Sequence, residues 1–129
     1  MGFIQNFIDQ HKQKAEARNA ACNQYIEQID RATQEIYGLF ADPQSAITPE
    51  KEAHWFERNS HLLTSPDVQK TRGAVRFGEL SARQTQLRQA VGALKQQIAL
   101  HNERVLQMRI QNAYVLIGNV LFFFFDSTA

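Results

Sequence analysis

His54, Glu57 and His61 lie three and four residues apart, the spacing that puts imidazoles and a carboxylate on one face of a helix. That combination of residue types is the one metal chemistry uses. A metal site also needs a further ligand from another segment, and no spacing in the chain marks one. The three are therefore read as solvated or capping residues. No glycine-rich phosphate loop, Gly-x-Ser-x-Gly elbow or cysteine pair occurs. No two titratable residues are spaced to act as acid and base. The expectation is no catalytic, cofactor-binding or metal residue, no cofactor and no small-molecule substrate: a chain that is not an enzyme.

The remaining reactive or polar candidates fall on helical registers. Cys22 is the single cysteine, so an intrachain disulfide is impossible. Its apolar register predicts a buried, reduced thiol, as in a cytoplasmic protein. His101, Gln84 and Asn112 sit on an otherwise apolar stripe. His101 reads as a core or boundary histidine bonded to a polar neighbour, and the two amides read as residues that fix register and partner choice.

The element that carries them is set by a seven-residue beat. Leu80, Leu87, Leu94, His101, Met108 and Val115 fall on one register, and Gln84, Val91, Ile98, Val105 and Asn112 on the interleaved one. Steps of four and three put both on a single stripe of a long helix, from about Glu79 to Ile117, that needs a partner helix. A second stripe runs through Ile4, Ile8, His11, Ala15, Arg18, Cys22, Tyr25, Ile29, Ala32, Ile36 and Leu39. It predicts a helix from about Phe3 to Phe40, weakened at His11 and Arg18 and ended by Gly38 and Asp42-Pro43.

Between the two, Thr48-Pro49-Glu50-Lys51-Glu52 announces a short helix, with Thr48 as N-cap, Pro49 at the first position and carboxylates in the first turn. It should carry His54, Trp55, Phe56 and Leu62-Leu63 toward the core. Ser65-Pro66-Asp67 repeats the start signal for a helix that Gly73 and Gly78 make fragile. The predicted fold is all-α: a long antiparallel, coiled-coil-like helical hairpin with one or two short helices in the connection. Residues 1–120 form one helical domain and 121–129 an apolar tail.

Charge is uneven along the 129 residues, although the formal net charge is only +1. The first half is acidic. From Val68 onward, Lys70, Arg72, Arg76, Arg83, Arg88, Lys95, Arg104 and Arg109 meet only Glu79, Glu103 and Asp126. Opposite signs can hold the two segments together, or the basic half can serve as a face for DNA. The dispersal of the bases around the helix favours the first use.

The stretch Ala113 to Phe125 is a nearly unbroken apolar run, interrupted by Gly118-Asn119. It is shorter than the roughly 20 residues a spanning helix needs. Four consecutive phenylalanines, Phe122 to Phe125, cannot all face one core from one helix. Part of the run must be exposed, placed at a membrane interface or buried against a partner. Met1 to Ile8 lacks the basic leader of a signal peptide, so export is not expected.

The stretch from His101-Asn102-Glu103-Arg104-Val105-Leu106 through Arg109-Ile110-Gln111-Asn112-Ala113-Tyr114-Val115-Leu116-Ile117-Gly118-Asn119-Val120 resembles the helical region that precedes the motor in bacterial UvrD-like DNA helicases. Trp55 and Arg58-Asn59 ahead of a long amphipathic helix are compatible with the same region. The resemblance implies a chain that goes on to an acidic-glycine stretch, a glutamine-bearing adenine motif and a Walker A loop. Here Leu121 to Ala129 stands in that place, which reads as a truncation by frameshift or early stop, or as a replacement end. Two readings follow. One is a non-catalytic accessory segment of a helicase-like protein with its basic half near DNA. The other is a stand-alone coiled-coil module that pairs with itself, with another helix or, less favoured, with a membrane surface.

Overall fold

The computed structural model describes residues 2–64 and 68–127, leaving aside the side chains of 68, 69 and 124–127. Every regular element among them is helical: α1 (Gly2–Leu39), α2 (Pro49–Asn59), a 3₁₀ turn (Ser60–Leu63), α3 (Val68–Thr71) and α4 (Phe77–Ser127). The chain is all-α. The Ser65-Pro66-Asp67 start signal lies outside the described residues.

Local chemistry sets the element ends. After α1, Phe40 and Ala41 donate to the Tyr37 and Gly38 carbonyls, and the Asp42 carboxylate accepts from the Gln44 amide at 2.9 Å, a side-chain turn before Pro43 can admit another helix. Thr48 caps α2 as predicted, its Oγ1 accepting from the Lys51 amide at 3.3 Å. α4 passes straight through Gly118 and Asn119 to Ser127, ten residues beyond the end expected at Ile117. One glycine costs a helix only about 1 kcal/mol, and the Leu and Ile around it are helix formers.

The direction of the long helices differs from the expectation. Asn19 accepts from the Val75 amide, Asn23 from Arg76, Asp30 pairs with Arg83, and the Phe40 ring meets His101. Partner numbers climb together, so α1 and α4 run parallel and the antiparallel hairpin does not form. The segment between them returns: Ile47 sits beside Asn102, Leu62 and Thr64 beside Gln84, and Gly73 beside Arg18. The physical reason is the length and content of that segment. An antiparallel pair needs only a short loop. Residues 40–76 instead carry two helices and a 3₁₀ turn, enough to travel back the roughly 36 Å that α4 rises between Phe77 and His101.

The core lies where the three layers overlap. Cys22, Ile26, Ile29, Ala32 and Ile36 of α1 meet Leu80, Leu87, Leu94 and Ile98 of α4, with Ile47, Trp55 and Leu62 closing the third side. Trp55 donates its indole N–H to the Ala32 carbonyl at 3.0 Å. His54, expected toward the core, is exposed, while Phe56 and Leu63 are half-buried.

Both long helices overrun this core, at opposite ends. Residues 2–17 of α1 are exposed, including Phe3, Ile4, Phe7 and Ile8. On α4 the stripe is buried at Val105 and half-buried at Met108. From Arg109 to Phe123 every residue is exposed.

Candidate functional site

The residues singled out for chemistry are not brought together. His54, Glu57 and His61 are all exposed, and among the described residues no three potential metal ligands cluster. α2 stops at Asn59 and His61 falls in the 3₁₀ turn, so the helical spacing that would align it with His54 is lost. His101 is a structural pin: its Nε2 lies 2.8 Å from the Ser45 carbonyl, which can only accept, and its ring meets Phe40 edge-on at 5.5 Å. Gln84 is buried and donates to the Leu62 carbonyl at 3.1 Å and to the Thr64 carbonyl. It anchors the returning segment rather than a partner helix. Asn112 is exposed. Cys22 is buried, and burial pushes its thiol up from the ordinary value, away from the thiolate that nucleophilic chemistry requires.

The complementary charges of the two halves meet at one belt. Arg83 bridges Asp30 on α1 and Glu79 on its own helix, while Arg76 holds Glu79 through both carboxylate oxygens, at 2.8 and 2.9 Å. The hydrogen bond from Arg76, helped by Arg83, lowers the Glu79 carboxyl to about 2. Elsewhere Arg88 donates to the Leu63 carbonyl at 2.8 Å. These arginines of the second half hold the fold together.

Three surface features remain. A concavity of about 770 Å³ between α1 and the turn after α3 is lined by Lys14, Arg18, Lys70 and Arg72. A second, of about 200 Å³, lies between α1 and the end of α2 and is lined by Arg31, Glu35, Arg58 and His61 among others. On the other side of the core, Ile36, Tyr37, Phe40, Leu100, His101 and Arg104 border an apolar groove of about 550 Å³ at the root of the exposed arm of α4. The cations of the first concavity were missed because they come from segments more than fifty residues apart. The one available signal was Arg18, a half-buried cation interrupting an apolar register.

Among the described residues, the groups singled out above as possible acid, base or nucleophile do not converge. The arrangement offers a concavity lined by four cations and two exposed helix arms. Among the described residues no helix is long and apolar enough to cross a membrane. Comparison with protein-family models, with curated proteins and with solved structures finds no match for this chain.

Proposed function

We propose that this chain is a non-catalytic helical accessory segment that works by docking, its three-layer core holding α4 out as an arm for a partner helix or coiled coil. The observation that carries this reading is the mismatch between pattern and cover on α4. The seam is covered only as far as Val105 and Met108, yet apolar residues continue through Ile110, Val115, Ile117 and Val120 at 46–60 % exposure. A helix apolar on several sides is stable in water only when something buries it. On this reading, which the resemblance over His101 to Val120 suggests, the partner would be the motor of a UvrD-like DNA helicase, with this segment on its amino-terminal side.

A second reading has its own support. Phe3, Ile4, Phe7 and Ile8 leave an apolar patch at the opposite end of the molecule, 52–86 % exposed, so each copy has two sticky ends and can pair with itself. Size-exclusion chromatography with light scattering, with and without the ATPase core of a UvrD-like helicase, separates the two. Co-elution that is lost in Val115→Glu with Ile117→Glu supports the accessory segment. A concentration-dependent oligomer that ignores the motor replaces it with the self-pairing module. ATP hydrolysis by the chain alone would refute both.

A further inference from the structure

Both arms carry on a face that the core already uses. Eighteen residues make five whole turns of a helix, so Ile4, Ile8 and His11 lie on the same side of α1 as the buried Cys22, Ile26 and Ile29. By the same spacing Asn112, Leu116 and Phe123 lie on the side of α4 that holds Leu94, Ile98 and Val105. Below the core, α1 therefore turns exposed apolar residues toward the line that α4 would follow had it begun before Phe77. Above the core, α4 turns its own toward the line that α1 leaves at Leu39. Each arm lacks the helix that the other provides. We propose that copies of this chain join head to tail, the α4 arm of one lying parallel to the α1 arm of the next, in continuation of the α1–α4 contact inside the core. The proposal rests on the self-pairing reading above and gives it two named surfaces and a direction.

Direction follows from the faces. An α4 arm filling the line below Phe77 in the antiparallel sense would carry its own core up that line and into α4 of the first copy. Entering in the parallel sense, it keeps its core below. Length allows this. α4 continues 25 residues from Asn102 to Ser127, a rise of about 38 Å. The exposed stretch of α1, residues 2–17, covers about 24 Å. The arm thus runs the whole stretch while Ser45 and Ile47 of its own copy, held by His101 and Asn102, stay clear of it.

Charge marks where the arm ends. Seated this way, the carboxyl end of α4 arrives at the base of the next core, where Lys14, Arg18, Lys70 and Arg72 line the concavity of about 770 Å³. The last carbonyls of a helix carry partial negative charge that nearby cations stabilise. α4 has no basic residue in its own last turn to do this, and Asp126 falls in that turn. Between Arg109 and Asp126 the arm has no charged residue, so nothing along it opposes Asp9, Lys12 or Lys14 of the neighbouring α1.

The two surfaces differ, so the contact is heterologous: each joined copy still presents one free arm of each kind, and growth continues as an open chain unless the rotation between copies closes a ring.

Two full-length variants, each blocked at one arm, test this in sedimentation velocity. Ile4→Glu with Ile8→Glu blocks the α1 arm, and Leu116→Glu with Phe123→Glu blocks the α4 arm; all four residues are exposed. The parent chain should form species that grow with concentration, and each variant alone should stay monomeric. Mixed in equal amounts, the two should give a dimer and nothing larger, because the free α4 arm of the first meets the free α1 arm of the second. Lys70→Glu with Arg72→Glu, both exposed, should weaken association of the parent by about tenfold. Spin labels in the mixed dimer read direction, with the buried Cys22 escaping modification. A label at Gln13→Cys of the α4-blocked variant should lie closer to one at Gly118→Cys of its mate than to one at Gln111→Cys. If circular dichroism shows that the glutamates melt an arm, glutamine at the same four positions, a good helix former, supplies the same readout. An α1-blocked variant that pairs alone assigns the contact to α4 with α4, and an α4-blocked variant that pairs alone assigns it to α1 with α1. Either result overturns the head-to-tail proposal while keeping self-pairing. A mixture that stays monomeric, cations that do not matter, or labels closer at 111 overturn it too. A parent chain that is monomeric at every concentration refutes the self-pairing reading as well and leaves the α4 arm to the motor.

Discussion

Asn102 grips both backbone groups of Ile47: its Oδ1 accepts from the Ile47 amide at 2.7 Å and its Nδ2 donates to the Ile47 carbonyl at 2.9 Å. One side chain thereby satisfies a donor and an acceptor on a buried residue that no helix or strand could serve. With His101 on the Ser45 carbonyl one residue earlier, it fixes where the returning segment begins.

Asn102→Ala leaves the Ile47 N–H and C=O without these partners. The expected loss is about 1–3 kcal/mol in urea unfolding. Asn112→Ala, on the same helix but exposed, should stay within about 0.5 kcal/mol. Equal effects at the two positions would contradict the clamp.

Leu94 is 1 % exposed in the middle of the α4 stripe. Leu94→Ala should cost about 2–5 kcal/mol, the range for a leucine truncated in a packed core. Gln96, exposed two residues later, should tolerate alanine with almost no change. A loss at Leu94 below about 0.5 kcal/mol would mean that the stripe is not buried.

Faces were legible in the sequence, and directions were not. The four-three stepping identified Leu80, Leu87, Leu94, Ile98 and Val105 as one buried stripe because a helix converts spacing into a face with no tertiary information. The Thr48-Pro49-Glu50 signal was equally local. Whether α1 and α4 run parallel depends on where residues 40–76 lay themselves down, which rests on contacts such as Ile47 with Asn102 across 55 residues. The stripe also cannot say where its cover ends: Val115 continues the register of Leu94, yet is 56 % exposed because α1 has already stopped at Leu39. The cation-lined concavity was hidden for the same reason, since Lys14 and Arg18 meet Lys70 and Arg72 only through the return of the chain.

Gly73 has φ +86, the left-handed region that disfavours a side chain. Gly73→Ala is expected to cost about 1 kcal/mol for the backbone, and its methyl would displace the Arg18 guanidinium, a flexible end that can move. Thermal melts should show the loss.

Glu79 supplies the pH dependence that can be read directly. Its carboxyl is lowered from an ordinary 4.5 to about 2, chiefly by the hydrogen bond from Arg76. A depressed acid binds its proton more readily in the unfolded chain, so its stabilising contribution is complete above about 4.5 and is lost as pH falls toward about 2. The parent chain should therefore be more stable than Glu79→Gln at pH 7. The gap should narrow below pH 4.5 and close near pH 2 in parallel melts. A gap that persists at pH 2 would assign the effect of the substitution to something other than the carboxylate charge.

The exposed end of α4 decides how the protein behaves in isolation. Leu121, Phe122 and Phe123 are 49–76 % exposed, and the side chains of Phe124 and Phe125 lie outside the described residues. None of the three described side chains belongs to the core cluster. Deleting 121–129 should consequently leave the melting temperature of the three-layer core within about 2 °C, because exposed substitutions away from packed features change stability little. Self-association should fall at the same time, because an uncovered apolar helix end is what drives it. Sedimentation velocity across a range of concentrations, run beside thermal melts on the parent and the deletion, reads both quantities. Loss of folding on deletion would make the phenylalanines core residues and overturn the picture of an arm held clear of the fold. Unchanged self-association would transfer the sticky end to Phe3, Ile4, Phe7 and Ile8 of α1.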